Sequence, residues 1–561
     1  MSGPRQELPV GVQTFAQIIN NGLLYVDKTA YIAEMVSSYG TKAWFLARPR
    51  RFGKSLIVST LESLFTGPRE LFKSLAIEKR LGEEIFAPRP VISLDMSDAV
   101  TDLGVDEFRR SLARLTSSSA IWREDERSLA SSASSPAAAF IFPPDATLSA
   151  AEILGDLIQT LSKRSGQRVA VLIDEYDKPI LDFIKKPDEA EMIRETMRNY
   201  YARLKSNDKY ISFIFISGIS KFSRMSVFSA MNNLDDISID EKYSAICGFT
   251  HNEFTEKFAA HLEETAIILG SSREDLLEKL KDYYDGFSFD GKTRVYNPFS
   301  ALLFFKKRVF DNFWFISGTP QIIAHYLKDK RLTVEEFRGM LVPRYFISNP
   351  GEIDSSGPAS FLYQSGYLSV RLDELTNKYT LDYPNREVYE SMSRLLVDNY
   401  FDAAPIAEEE RDKLRDALKS GEASALIEVF NEFLAEIPYD FYSKANRKTV
   451  KIDGIKINFD EWLYHSNILS FLIGAGVTAR AEKHTSLGQS DLVAIHAGKI
   501  WVIELKMVRN DNDETVAKNA LKQIRDKDYA GPYDNPILLG IAINESKRTI
   551  GAWEVGYKNR P

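Results

Sequence analysis

Apolar and polar positions along this chain alternate in two rhythms. Four short runs are nearly continuous in apolar residues and rich in β-branched and aromatic side chains: KAWFLA (42–47), PVISLDM (90–96), RVAVLID (168–174) and YISFIFIS (210–217). Helical patterns lie between them. Strands of this kind, alternating with helices, predict a parallel sheet covered on both faces. The Ser-, Ala- and Pro-rich stretch 117–150 breaks the pattern and reads as a surface insertion. Helical periodicity dominates from about 250 to 345, and FLYQSGYLSVRLDELTNKYTLDY (361–383) predicts a strand pair. A polar helical stretch near 405–436 leads to the basic run SKANRKTVKIDGIK (443–456), a candidate domain boundary. Beyond it the pattern predicts a helix (459–476), three short strands (near 477–484, 490–497 and 499–508), a helix (514–530) and a final strand (535–543).

With 561 residues the chain exceeds a single compact core, so several domains are expected. The net charge of −8 gives no general attraction to nucleic acid, and any such binding must rest on a local basic groove. One cysteine, Cys247, excludes a disulfide framework and points to a reducing, cytoplasmic setting. No apolar run approaches membrane-spanning length, and no signal-peptide core is expected. Six histidines and one cysteine show no zinc-ligand spacing.

ARPRRFGKS (47–55) ends like a phosphate-binding loop but has Arg48 where the consensus opens with glycine. Its context is right, with a predicted strand before it and a predicted helix, SLIVSTLESLF, after it. In such a loop Lys54 reaches the β- and γ-phosphates, and Ser55 sets its hydroxyl on Mg²⁺. Arg50 and Arg51, just before Phe52 and Gly53, either touch phosphate or are merely solvated. A second element is expected on another strand: VAVLIDEYDKP (169–179) supplies Asp174 for the metal and Glu175 to orient the attacking water.

Several uncommon motifs recur in order here: YVDKT (25–29), ARPRRFGKS, LIDEYDKP, SGISKFSRMSVFSAMNNLDD (217–236), YDGF (284–287), VYNPFS (295–300), SGTP (317–320) and YQSGYL (363–368). Together they resemble the AAA-ATPase-like family of prokaryotic proteins over roughly residues 5–390. In that family the loop reads Arg-Pro-Arg-Arg-Phe-Gly-Lys-Ser, so the missing glycine is the family's own pattern. The resemblance implies ATP with Mg²⁺ as cofactors and a nucleotide-binding set of Arg50, Arg51, Phe52, Gly53, Lys54, Ser55, Asp174, Ser217 and Arg224. Ser217 takes the place of a sensor residue. Arg224 is either a sensor or finger arginine or a surface residue. Members of this clade often form rings, which makes a homo-oligomer possible.

SDLVAIHAGKIWVIELK (490–506) carries a second signal. Glu504 and Lys506 share one face of a predicted strand, and a hairpin would bring Asp491 to them. Two carboxylates can then hold Mg²⁺ or Mn²⁺, with the lysine beside the reacting phosphate. This Asp…Glu-x-Lys pattern and the element order resemble the PD-(D/E)XK nucleases over roughly 455–555. The resemblance implies Asp491, Glu504 and Lys506 as catalytic, with Gln523 from a later helix. It also implies an upstream acidic metal ligand, with Glu461 the candidate and Glu482 its rival. Lys444, Arg447, Lys448, Lys451 and Lys456 either contact phosphates or form a solvated linker.

The expected fold is therefore α/β. It comprises a P-loop (AAA-type) parallel-sheet domain (1–245), a mainly helical lid or middle region with a small strand pair (246–440), and a C-terminal α/β restriction-endonuclease-like domain (441–561). The expected function is ATP binding and hydrolysis joined to metal-dependent cleavage of nucleic acid, most simply foreign or mobile DNA, without a membrane. The alternative is an ATP-dependent nucleic-acid-binding switch or scaffold that does not cut.

Overall fold

The computed structural model describes residues 5–38, 42–122, 139–140, 148–183, 186–221, 227–228, 231, 233–316, 334–348, 358–376, 378–400, 408–437, 451–452, 455–456, 459–481, 492–508, 512–544 and 546–558. The chain divides into two compact units, Met1–Gly318 with Gly339–Asn385, and Thr319–Arg338 with Arg386–Pro561.

The first unit is built on a seven-stranded sheet of β1 (Ala43–Ala47), β2 (Val91–Asp95), β3 (Ala120–Ile121), β4 (Ala139–Phe140), β5 (Val169–Asp174), β6 (Ile211–Gly218) and β7 (Leu234–Asp236). Their spatial order is β4-β3-β2-β5-β6-β1-β7. Neighbours from β2 through β5, β6 and β1 to β7 run parallel. The four long strands coincide with the four apolar runs, and β1 and β5 are buried along their whole length. Helices such as Val105–Ser117, Ala150–Ser165 and Pro187–Ser206 pack apolar stripes onto this sheet. Each fully buried Leu, Ile or Phe contributes about 1.5–3 kcal/mol to that packing.

Two local expectations need correcting. Inside the stretch read as an insertion, β3 pairs antiparallel with β2 and with β4, so it lends strands to the sheet edge. Residues 361–365, expected in a strand, belong to the helix Pro358–Ser365. The strands that follow are β9 (Ser369–Asp373) and β10 (Lys378–Asp382), which form a small sheet with β8 (Met340–Val342) in the order β8-β10-β9. The 361–365 run is too short for its apolar residues to distinguish a helix from a strand.

In the second unit, a short pair of β11 (Lys451–Ile452) and β12 (Ile455–Lys456) precedes the main sheet. That sheet holds β13 (Thr478–Ala481), β14 (Leu492–His496), β15 (Lys499–Val508), β16 (Ile537–Asn544) and β17 (Thr549–Tyr557), in chain order across the sheet. Only the β15–β16 pair is parallel, across the helix Asp513–Asp526. One face, with Trp501, Ile503 and Leu505, packs on helices Phe459–Gly474 and Ala423–Glu436. The other face, with Val502 and Leu538, packs on the helix Asp513–Asp526 through Leu521 and Ile524. β17 has no counterpart in the predicted elements. Trp553 and Tyr557 stay 41% and 63% exposed, so this edge strand lacks the apolar run that marks a buried one.

Candidate nucleotide and nuclease sites

β1 delivers the chain to the loop 47–53, and the helix Lys54–Thr66 leaves it. The loop bends through two left-handed residues, Arg51 at φ 63 and Gly53 at φ 97. Arg48 is 1% exposed and structural. Its guanidinium donates to the carbonyls of Ala47 (2.9 Å), Ser238 (2.6 Å) and Tyr243 (3.1 Å), and it lies 4.0 Å over the Phe289 ring. A side chain has thus replaced the consensus glycine and ties the loop to its neighbours. Residues from 285–367 hold the rest of the loop. Phe52 packs edge-on to Phe287 and Phe289, Trp314 Nε1 donates to the Arg50 carbonyl at 3.0 Å, and Gly366 abuts Pro49.

Lys54 Nζ donates to the carbonyls of Arg48 and Pro49, each at 3.0 Å. On the adjacent strand ends, the Ser217 hydroxyl donates to Asp174, which also accepts the Glu175 N–H at 3.0 Å. Glu175 is left-handed at φ 50, a conformation costly for a non-glycine residue and retained at functional turns. Burial pushes the Glu175 carboxyl above its ordinary range; Lys54 opposes the shift, and Asp174 and Asp95 add to it.

A cavity of about 500 Å³ joins Lys54 and Glu175. Arg50 to Ile57, Asp95, Ser97, Glu175 and Lys178 line one part of it, and Pro9, Val12, Phe249 and Phe299 line another. Arg51 also places its guanidinium 4.1 Å over the Phe299 ring. Asp95 escaped the sequence reading, although it ends an apolar run as Asp174 does. The parallel register sets Asp95 beside Asp174, and loss of water, opposed by donors from Ser97, raises its carboxyl. Lys28 also went unnoticed. The residue lines the cavity, and its ammonium bonds both Glu253 oxygens at 2.7 Å and the Ala245 carbonyl at 2.8 Å. The donor set fits a divalent cation: Ser55 and Asp174 offer hard oxygen ligands, and the Glu175 and Asp95 carboxyls, raised chiefly by burial, stand close by. Arg224 lies outside the described residues.

In the second unit, Glu504 on β15 is 4% exposed and faces the helix Asp513–Asp526. Gln523 Nε2 of that helix donates to Glu504 Oε1, and Lys506 Nζ lies 3.6 Å from the same oxygen. The structure therefore brings Glu504, Lys506 and Gln523 together. Gly540, opposite Glu504 on β16, permits the contact. A Cβ there would lie 2.5 Å from both the Ala517 carbonyl oxygen and the Leu521 nitrogen, so only glycine lets the helix approach so closely. Asp491 and Glu482, with the side chain of Glu461, lie outside the described residues. Lys444, Arg447 and Lys448 also lie outside them, and Lys451 and Lys456 are register partners in β11–β12. Among the described residues no group of three acidic, His or Cys side chains is arranged to hold a metal, and no helix is long and apolar enough to cross a membrane.

A strand, a phosphate-type loop, a helix and an acidic residue at the end of β5, one strand removed across β6, define a P-loop nucleotide-binding protein of the AAA type. A family model described as "Predicted AAA-ATPase" matches residues 9–228, and one described as "PD-(D/E)XK nuclease superfamily" matches residues 459–553. Over 554 residues the chain is 32% identical to the "Uncharacterized protein in vnfD 5'region" of Azotobacter chroococcum mcd 1, covering 97% of this chain and 98% of that protein. The chain belongs to the AAA-ATPase-like family and carries a C-terminal PD-(D/E)XK nuclease superfamily domain. The ORC2 protein of Aeropyrum pernix, solved in ADPNP–ADP complexes, aligns at 10% identity with a TM-score of 0.24, covering 71% of this chain and 96% of that one.

Proposed function

We propose that this protein binds and hydrolyses ATP in its first domain (1–245) and cleaves DNA phosphodiester bonds in its last (441–561), with residues 246–440 as lid and relay. Foreign or mobile DNA in the cytoplasm is the proposed target. Lys54 and the loop amides would hold the triphosphate, Ser55 and Asp174 a Mg²⁺ ion, and Glu175 would take the proton of the attacking water. Ser217, bonded to Asp174, would register the state of the γ-phosphate. In the nuclease domain Asp491, Glu504 and Glu461 or Glu482 would hold Mg²⁺ or Mn²⁺, which lowers the cost of forming a nucleophile and of charge on phosphorus. Lys506 would face the scissile phosphate and Gln523 would orient Glu504. Asp491 directly precedes Leu492, and Leu492 pairs with Ile503, the residue before Glu504.

The observation that carries the nuclease reading is the buried Glu504 bearing both Lys506 and Gln523. An exposed ladder pair would need no amide partner and would not lie beneath a helix. The test is cleavage of single- and double-stranded DNA and RNA with Mg²⁺ and with Mn²⁺. Loss of cutting in Asp491→Ala, with ATP hydrolysis retained, is the expected result. No cutting of any substrate with either metal overturns the reading and leaves a nucleic-acid-binding switch.

A further inference from the structure

The turn after β5 carries a cation into the nucleotide cavity that the roles above do not use. In DEYDKP (174–179) the Lys178 N–H donates to the Glu175 carbonyl at 3.0 Å, so the two residues are the ends of one tight turn. The backbone of that turn is held from several sides. Tyr176 N–H donates to the Ser217 carbonyl at 3.0 Å. The fully buried Asp177 carboxylate accepts from the N–H groups of Ile219 and Ser220 and from the Ser220 hydroxyl, at 2.8–3.2 Å. Such bracing serves a turn whose side chains must be aimed. The Lys178 side chain, 29% exposed, lines the cavity together with Lys54, Ser55 and Glu175. Its ammonium rests on Asp182, which accepts in turn from the Thr101 hydroxyl at 2.8 Å.

We infer that Lys178 is a catalytic cation delivered in cis to the γ-phosphate of a bound nucleoside triphosphate; the inference rests on the P-loop reading of this cavity. The wall already carries Asp95 and Glu175, and a triphosphate adds more negative charge. Lys54 is tied to two loop carbonyls. As the water oxygen bonds to the γ-phosphorus, the bond to the β–γ bridging oxygen breaks and its electron pair leaves on the nucleoside diphosphate. The water proton passes to Glu175 and then to inorganic phosphate. Charge builds on the γ-oxygens and the bridging oxygen, where a positioned cation stabilises the transition state most. Lys178 swings from Asp182 to those oxygens on its flexible stem and acts as a cation, not as a proton donor. Hydrolysis then needs no cation from a neighbouring subunit.

The test uses the full chain, with ATP turnover and fluorescent-nucleotide affinity measured for wild type, Lys178→Ala, Lys178→Arg and Lys54→Ala. Lys178→Ala should lower kcat about 100-fold, as loss of a transition-state donor does, with affinity within about twofold. Lys178→Arg should recover much of the loss. Mixing Lys178→Ala with Glu175→Gln protein should yield no activity beyond the sum of the two. If Lys178→Ala turns over within about threefold of wild type while Lys54→Ala cannot bind nucleotide, this inference fails and the P-loop reading stands. If Lys54→Ala binds and hydrolyses normally, or wild type does not hydrolyse ATP, both fail. Activity restored on mixing would assign Lys178 to a neighbour's site and overturn the cis role. Loss of affinity and a lowered Tm in Lys178→Ala would make the lysine structural.

Discussion

Arg48 shows how a residue can depart from a consensus and still serve it. Glycine at the start of a phosphate loop spares the backbone a side chain, whereas here the side chain satisfies three buried carbonyls and stacks on Phe289. Restoring the consensus with Arg48→Gly should therefore destabilise the protein, by about 2–4 kcal/mol, because buried acceptors lose their donors. Denaturant unfolding of the variant checks this. The raised Glu175 carboxyl has a signed consequence. A carboxyl protonates below its pKa, so a raised value removes the base at a pH above the ordinary glutamate range. The acid limb of turnover should accordingly lie at higher pH than an ordinary glutamate would give. In stability the same shift favours the protonated form: its contribution is full below the unfolded value and is lost as pH rises through the folded one. Glu175→Gln should then raise Tm near neutral pH, leave it unchanged in acid, and bind ATP without turning it over. A melting series across pH with and without ATP reads all three outcomes.

Two glycines decide how closely elements approach. Gly366, at φ +89, faces Pro49 of the loop, and a Cβ there would lie 2.5 Å from the proline ring. Gly366→Ala should push the loop off its support and weaken nucleotide affinity about tenfold, measurable by calorimetry. Gly540 lets the helix Asp513–Asp526 settle against β16, which brings Gln523 onto Glu504. Gly540→Ala should lift that helix and lower cleavage, while Gln523→Leu should lower cleavage with the melting temperature held. A cleavage assay beside thermal melts separates the two effects. Sequence periodicity located these helices and strands because buried strands are continuously apolar and helices carry a stripe. It missed β7 and β17 for a complementary reason. β7, Leu-Asp-Asp, is too short and polar to register, and β17 is a half-exposed edge.

At the scale of the molecule, the loop with Lys54 lies in one compact unit and the Glu504–Lys506–Gln523 group in the other. A chain with net charge −8 should bind nucleic acid only through local cations, so affinity should fall steeply with salt. Titrating DNA at several salt concentrations measures the slope, and a flat response would exclude phosphate contacts as the source of binding. The amino-acid sequence alone determined the strands of the parallel sheet, the loop with Lys54 and Ser55, the Asp174–Glu175 pair and the Glu504-x-Lys506 strand. Each of these is written in local spacing, which follows from strand alternation and from the short reach of a turn. Tertiary structure alone decided that Arg48 is a buried tie, that Asp95 stands beside Asp174, that Lys178 enters the cavity, and that Gln523 meets Glu504. Those facts depend on strand order and on how near a helix can come to a sheet, distances set by packing between segments far apart in the chain.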